Sequence, residues 1–138
     1  MIEFYSENNF TLENSDKIAS WIQNIIQSEG FSLGELSYTF CDDDFLHAIN
    51  VQYLNHDTLT DIISFDYTMG KEINGEIYIS TERVEDNAND YNVSFENELL
   101  RVLIHGILHF LGYKDKTPAD EAQMRQKEDA CIAVYLKF

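Results

Sequence analysis

Apolar and polar residues alternate in several short segments of the chain, and between these segments apolar residues recur every three or four positions. Alternation is typical of strands with one buried face, whereas the longer spacing is typical of amphipathic helices. The predicted strands begin at residue 2 and cover 35–41, 62–67 and 76–80. The predicted helices follow a cap at Ser15, open at Asp42, and cover about 80–91, 94–112 and the chain from Thr117 onward.

Local turn signals connect these elements. Gly30 supplies a left-handed end for the first helix, and the segment 70–75 joins the last two strands as a hairpin. The acidic triplet 42–44 is interpreted as a helix start rather than a metal site. Carboxylates suit the positive end of a helix dipole, and consecutive residues there point in different directions.

The element order β-α-β-α-β-β-α-α-α predicts an α+β fold, with one mixed four-stranded sheet and helices packed largely on one face. A chain of 138 residues has the size of one ordinary domain, so residues 1–138 are predicted to form a single domain. Between Leu99 and Leu111, apolar residues occupy every side of the predicted helix. Such a helix should be surrounded by protein.

Two histidines interrupt this buried helix. His105 and His109 are four residues apart, so their rings project from one face about one turn apart and can share a metal ion. Gly112 can end the helix in a left-handed turn that brings Asp115 back toward the imidazoles. Three protein ligands with an open fourth position are typical of a catalytic zinc ion.

Each of these residues also has a purely structural interpretation. The histidines could be buried core residues, although each would then need its own polar partner in a crowded place. Asp115 lies between Lys114 and Lys116 and could be an exposed loop acid. His56 and Asp120 then remain as alternative third ligands.

The charge limits the classes of partner. Nine Lys and Arg stand against 25 Asp and Glu, for a formal net charge of -16. No broad basic face can therefore support sequence-independent binding of nucleic acid. Acids on the polar helical faces, including Glu121, Glu128 and Asp129, are expected to point away from the histidines. A local positive mouth would then be formed by three cations that could contact substrate phosphate: Arg101, Lys114 and Lys116.

The sequence favours an intracellular protein. The N-terminus lacks the basic start and apolar run of a signal peptide, and no apolar run is long enough to span a membrane. Cys41 and Cys131 lie in apolar stretches and are predicted to be reduced, buried thiols rather than a disulfide. The expected location is the cytoplasm.

Three motifs in order resemble one known family. Residues 105–113 read His-Gly-x-Leu-His-x-x-Gly-Tyr, and they follow the segments 60–65 (Thr-Asp-Ile-Ile-Ser-Phe) and 75–80 (Gly-Glu-Ile-Tyr-Ile-Ser). This pattern resembles the YbeY family of metal-dependent endoribonucleases, which act in ribosomal RNA maturation. The resemblance spans roughly residues 35–130. It implies a metzincin-like α+β fold in which the two histidines and a third histidine after the glycine bind zinc.

The sequence departs from the family's pattern at two positions. Asp115 holds the place of the third histidine. Its oxygen can bind zinc at about the same distance as an imidazole nitrogen, but its charge makes Mn²⁺ more competitive. Leu54 holds the place of an arginine, so another cation, Arg83 among the candidates, would have to contact phosphate.

A zinc protease is disfavoured by the residue after the first histidine. In the His-Glu-x-x-His motif, the glutamate is the general base of peptide hydrolysis. The corresponding residue here is Gly106. The segment 60–65 is given a mainly structural role, with its backbone able to form one wall of the metal cleft.

The sequence and the resemblance therefore predict a single-metal, zinc-type endoribonuclease in ribosomal RNA processing, maturation and quality control. Catalysis is assigned to a water molecule on the metal rather than to a side chain. The expected partners are ribosomal RNA or a ribosomal particle, and neither DNA nor a membrane. The alternative is a ribosome-associated assembly factor with a structural metal ion, and a metalloprotease is less favoured.

Overall fold

The protein is described by a computed structural model that covers residues 1–54 and 60–138, without the side chain of Leu54. The elements in chain order are β1 (Ile2–Ser6), α1 (Ser15–Ser28), β2 (Ser32–Cys41), α2 (Asp43–Leu54), β3 (Ile62–Asp66), β4 (Glu72–Ser80), α3 (Thr81–Tyr91), α4 (Phe95–Phe110) and α5 (Pro118–Leu136). The strands form one sheet in the order β1-β2-β4-β3. β1, β2 and β4 are parallel, whereas β3 pairs antiparallel with β4. The predicted α+β class with a mixed four-stranded sheet is confirmed.

Most element boundaries agree with the sequence pattern, and the differences have local causes. β4 starts at Glu72 and takes up most of the predicted turn, because the hairpin closes tightly around Gly70 with its positive φ of 60°. α1 begins at Ser15 itself, after Asn14 in a left-handed conformation, so the predicted cap at Ser15 is wrong by one residue. The Asp42 side chain accepts a hydrogen bond from the Phe45 amide at 2.8 Å, as a helix cap does.

The two faces of the sheet bury different helices. Ile73, Ile77 and Ile79 of β4 point into the main core, which α1, α4 and α5 cover. Tyr78, between them, faces the other way and packs with a smaller cluster that includes Leu46 of α2. This alternation along β4 is the two-residue period of a strand that is covered on both sides. Most helices therefore lie on one face, as predicted, and α2 covers the other.

Two glycines bring α4 close to the sheet. A β-carbon at Gly75 would lie 2.5 Å from the Phe110 ring, and one at Gly106 would lie 2.9 Å from Ile77 Cδ1. The Tyr38 hydroxyl also donates a hydrogen bond to the Leu103 carbonyl oxygen at 2.9 Å. α4 is consequently buried along most of its length, as its apolar sequence predicts. This packing fixes the direction in which its histidines project.

Both cysteines are buried and free. Burial raises the pKa of Cys41 to about 12 and that of Cys131 to about 11. Neither thiol is therefore ionised near neutral pH, which agrees with the prediction of inert, reduced residues. Within the described part of the chain, no helix is both long enough and apolar enough to cross a bilayer.

Candidate metal centre

Three side-chain atoms converge at the C-terminal end of α4. The Nε2 atoms of His105 and His109 lie 3.1 Å apart. Asp115 Oδ2 lies 3.1 Å from His109 Nε2 and 3.4 Å from His105 Nε2. Across residues 1–54 and 60–138, these three residues form the group that can hold a metal ion. The structure thus brings together the three ligands that the sequence predicts.

The turn after α4 carries Asp115 to the histidines. Gly112 has a φ of 105°, which favours glycine, and its amide donates to the His109 carbonyl oxygen at 3.0 Å. The next amide, of Tyr113, reaches back to the Leu108 carbonyl oxygen at 2.9 Å. These two bonds define a Schellman motif, in which a left-handed residue reverses the chain. The predicted role of Gly112 in folding the loop back is confirmed.

A second set of bonds fixes this loop from outside. The Tyr113 hydroxyl donates to Glu29 Oε1 at 2.6 Å, and Lys127 Nζ donates to Glu29 Oε2 at 3.1 Å. The hydrogen bond from Tyr113 holds the pKa of Glu29 below its ordinary value, against burial, and Lys127 adds to this effect. Glu29 lies just after α1 and Lys127 lies in α5, so this latch ties the ligand loop to two helices.

The donor set fits a small divalent cation. In a tetrahedral zinc site with bonds of about 2.0–2.1 Å, neighbouring ligand atoms lie about 3.4 Å apart, close to the separations found here. Two imidazole nitrogens and a carboxylate oxygen bring electron pairs together, which is unfavourable unless a cation or proton lies between them. Side-chain exposures of 24% for His105, 31% for His109 and 40% for Asp115 leave the group open on one side.

The other ring nitrogen of His105 contacts a carboxylate. His105 Nδ1 lies 2.6 Å from Glu128 Oε2, and Glu128 is 4% exposed. Burial by itself would lower the pKa of His105. The hydrogen bond and charge of Glu128 outweigh it, so the pKa is raised, with smaller contributions from Asp115 and Asp61. The carboxylate therefore stabilises positive charge at this imidazole.

A pocket of about 320 Å³ is lined by His105 and Asp115 and runs along α4 toward its N-terminus. This volume is in the range of small-ligand sites. Asp61 and Ile62, at the start of β3, form one wall, as the segment 60–65 was predicted to do. Burial raises the pKa of Asp61 and of Glu98, which is 4% exposed. The pocket therefore adjoins the ligand group on the side of His105 and Asp115.

Comparison with known proteins supplies the family. A family model described as Endoribonuclease YbeY matches residues 2–135. The chain belongs to this family. A relative from Flavobacterium johnsoniae, named Endoribonuclease YbeY, is 61% identical over 98% of this chain and 97% of its own length. A second, from Bacteroides thetaiotaomicron with the same name, is 42% identical over 83% of both chains.

A solved structure has the same fold as this YbeY-family chain. The solution structure of a protein from Thermotoga maritima superposes with a TM-score of 0.71 at 28% sequence identity. The match covers 98% of this chain and 89% of the other. The resemblance that the sequence motifs indicated is therefore confirmed over nearly the whole chain.

Gly106 of this YbeY-family chain, at the place of the protease base, packs closely against the sheet. A β-carbon at Gly106 would lie 2.9 Å from Ile77 Cδ1 and 3.2 Å from Ile62 Cδ1. The position thus faces Ile62 and Ile77 of the sheet, and a side chain there would require both of them to shift. The argument against peptide hydrolysis now rests on packing as well as on residue type.

The predicted positive mouth is wrong for the pocket itself. Among the described residues, its walls carry two arginines and five acids: Arg101, Arg125, Asp61, Glu98, Asp115, Glu121 and Glu128. Arg101 is held by Glu128 at 3.0 Å and by Asp129 at 2.7 Å. Lys114 and Lys116 are exposed on either side of Asp115, and their contact with phosphate stays a prediction.

The other residues that the sequence offered for phosphate contact or metal binding lie elsewhere or outside the described residues. Arg83 pairs with Asp43 at 2.8 Å and with Asp86 at 3.1 Å and does not line the pocket. Within the described ranges, Asp120 does not join the ligand group. His56 and the side chain of Leu54 lie outside the described residues.

Of the acids that were predicted to point away from the histidines, Glu128 contacts His105 instead, and Glu121 lines the same pocket. The sequence does contain a signal for Glu128. It shares one face of α5 with three buried residues at helical spacing: Met124, Cys131 and Ile132. A carboxylate on an apolar stripe is buried when the helix packs, and it then needs a partner.

Proposed function

We propose that this protein is a single-metal endoribonuclease that acts on ribosomal RNA precursors, in processing, maturation and quality control. The convergence of two imidazole nitrogens and a carboxylate oxygen carries the proposal. These three atoms can bind a metal ion, and the chain belongs to a family whose members are named endoribonucleases. The RNA-cleaving hydrolase class follows from the family, whereas ribosomal RNA as substrate is our inference.

The chain's own residues have distinct roles in this proposal. His105, His109 and Asp115 would hold a divalent cation, Zn²⁺ first and Mn²⁺ second because of the carboxylate. When bound, such an ion polarises a phosphoryl oxygen and lowers the pKa of water toward about 7. The pocket along α4 would accept the nucleotide next to the scissile phosphate. Lys114 and Lys116 flank Asp115 and would contact the backbone phosphates.

The charge of the protein shapes how RNA would be recognised. A net charge of -16 and an acidic pocket oppose non-specific binding of polyanions. Recognition would therefore depend on the metal centre and on presentation of the RNA by a ribosomal particle in the cytoplasm. Weak binding of random RNA, with little gain at low salt, is the behaviour that we expect.

The test is cleavage of structured precursor ribosomal RNA by purified protein. We expect cleavage that is lost on chelation and restored by Zn²⁺ or Mn²⁺, and that is absent in His105→Ala. His47→Ala replaces a histidine of α2 outside the ligand group and should retain cleavage. Wild-type protein that carries a metal ion and does not cleave RNA would support the assembly factor instead.

A further inference from the structure

Glu128 joins the last helix to the metal centre. It lies in α5, yet its Oε2 atom is 2.6 Å from Nδ1 of His105 in α4. It is 4% exposed, so this carboxylate lies in the protein interior rather than on the polar face of its helix. A buried charge is costly unless it is paired, so its contacts should reveal its role.

Each oxygen of this carboxylate has one partner. Oε2 faces His105, while Oε1 accepts a hydrogen bond from Arg101 Nη1 at 3.0 Å. Only 12% of the Arg101 side chain is exposed, and its Nη2 atom donates to Asp129 at 2.7 Å. A continuous chain of contacts therefore runs from Asp129 through Arg101 and Glu128 to the metal-binding imidazole.

These contacts select one tautomer of His105. An ionised carboxylate only accepts hydrogen bonds, so the proton of the neutral ring must be on Nδ1. The lone pair is then on Nε2, the atom that faces His109 Nε2 and Asp115 Oδ2. Without Glu128, the ring could carry its proton on either nitrogen and could rotate.

We propose that Glu128 is a positioning residue of the metal centre, which holds His105 as the Nδ1–H tautomer with Nε2 directed at the cation. Arg101 and Asp129 hold Glu128 in turn. The inference rests on the metal site of the proposed function. It assigns to Arg101 a role in this chain of contacts instead of the predicted contact with phosphate, and it makes α5 part of the site.

The test measures metal affinity without RNA. Glu128→Gln keeps the shape of the side chain and removes its charge, and removing such outer partners typically costs about 10–100-fold in metal affinity. We expect a loss of that size in a Zn²⁺ titration against a chromophoric chelator. The matched control is Glu121→Gln, on the same helix and pocket wall but with no contact to His105, which should bind Zn²⁺ as wild type does.

A second measurement needs no variant. Long-range ¹H–¹⁵N spectra of metal-free wild-type protein, recorded at a pH where the His105 ring is neutral, should show its single ring proton on Nδ1, and Glu128→Ala should change that tautomer pattern. A role in folding alone would lower stability without moving the tautomer. Should Glu128→Gln not fold, Asp129→Asn at the exposed end of the chain of contacts should still weaken Zn²⁺ binding, by less.

Two results would overturn the inference: a neutral His105 ring with its proton on Nε2 in the wild type, or Glu128→Gln binding Zn²⁺ as tightly as Glu121→Gln. Its failure is distinguishable from failure of the proposed function. Wild-type protein that binds Zn²⁺ in this tautomer and leaves RNA intact would refute the nuclease and keep Glu128 in its role. If Glu128→Gln retained both RNA cleavage and the wild-type Zn²⁺ affinity, the nuclease would be supported and the role of Glu128 refuted.

Discussion

Two clusters of charged side chains hold elements of the fold together, and they differ in how donors match acceptors. On one side of the fold, Asp43 of α2 accepts from the Ser80 hydroxyl at 2.6 Å and from Arg83 Nη2 at 2.8 Å. Arg83 also pairs with Asp86 at 3.1 Å. Both carboxylates face Arg83 Nη2, and the buried Arg83 Nε has no hydrogen-bond partner among the described residues. Acceptors are therefore not in excess here, and this cluster, which we call balanced, can serve stability alone.

The metal centre is unbalanced at one end. From Asp129 to His105 Nδ1, each acceptor has a donor, as in the other cluster. At Nε2 of His105, Nε2 of His109 and Oδ2 of Asp115, three atoms that can each offer an electron pair to a cation converge instead. A balanced cluster holds elements together, whereas an excess of acceptors in an open pocket indicates a site for a cation. This difference distinguishes a cation-binding site from a cluster that only stabilises the fold.

The largest expected effect is the loss of a ligand at the unbalanced end. Asp115→Ala should weaken Zn²⁺ binding by more than about 100-fold, since outer partners alone cost about 10–100-fold. Metal titration of the purified protein measures this. Asp115→His should keep binding, because imidazole replaces one donor by another, and Asp120→Ala is the control. Unchanged affinity in Asp115→Ala would give the third position to His56, Asp120 or water.

The balanced cluster should respond in stability and not in metal binding. Asp43→Asn removes a charged acceptor of two hydrogen bonds and should lower the free energy of unfolding by about 1 kcal/mol. Denaturant unfolding measures the change, with the exposed neighbour Asp44→Asn as control. Zn²⁺ affinity should stay at the wild-type value. A Zn²⁺ affinity that fell with stability would mean that the two clusters are coupled.

The contribution of Asp43 to the stability of the fold should also depend on pH. The hydrogen bond from Arg83, against the effect of burial and with help from Ser80, holds the pKa of Asp43 below its ordinary 3.8. A lowered carboxyl pKa stabilises the fold above the unfolded-state pKa, and this is lost as the pH falls through the folded-state pKa. The stability difference between wild type and Asp43→Asn should therefore shrink in acid. A difference that grew in acid would contradict this sign.

The smallest effect is expected at the latch on the ligand loop. Tyr113→Phe removes the hydroxyl that donates to Glu29, so the pKa of Glu29 should rise toward its ordinary value of 4.5. The expected cost in unfolding free energy is about 0.5 kcal/mol, because only one hydrogen bond is lost. NMR titration of Glu29 measures the pKa shift, with Tyr91→Phe as control. If Zn²⁺ binding fell as far in Tyr113→Phe as in Glu128→Gln, the hydrogen bonds to Glu29 would contribute more to the metal site than we expect.

Local patterns predicted those features that depend on local geometry. The spacing of His105 and His109 places both rings on one face of a helix, and Gly112 supplies the reversal that returns Asp115. Alternation and helical periodicity predicted the strands and helices. The order of strands in the sheet depends on contacts between distant segments, and no local pattern encodes it.

The missed residues all depend on how helices pack against one another. Glu128 reads as a surface acid until the buried residues beside it in α5 are placed against α4. Arg101 reads as a free cation one turn before His105, whereas two acids from α5 hold it. Charge alone therefore predicted a locally positive site, whereas the packing of the helices pairs this cation with acids and neutralises it.

The central claim is that the three converging atoms hold the catalytic metal ion. The most direct measurement is bound metal and RNA cleavage in the same preparation, followed as metal is added back to chelated protein. We predict that the cleavage rate rises in proportion to bound metal and levels off at one ion per chain, with neither binding nor cleavage in His109→Ala. Full cleavage by metal-free protein, or unchanged metal content in His109→Ala, would contradict the account.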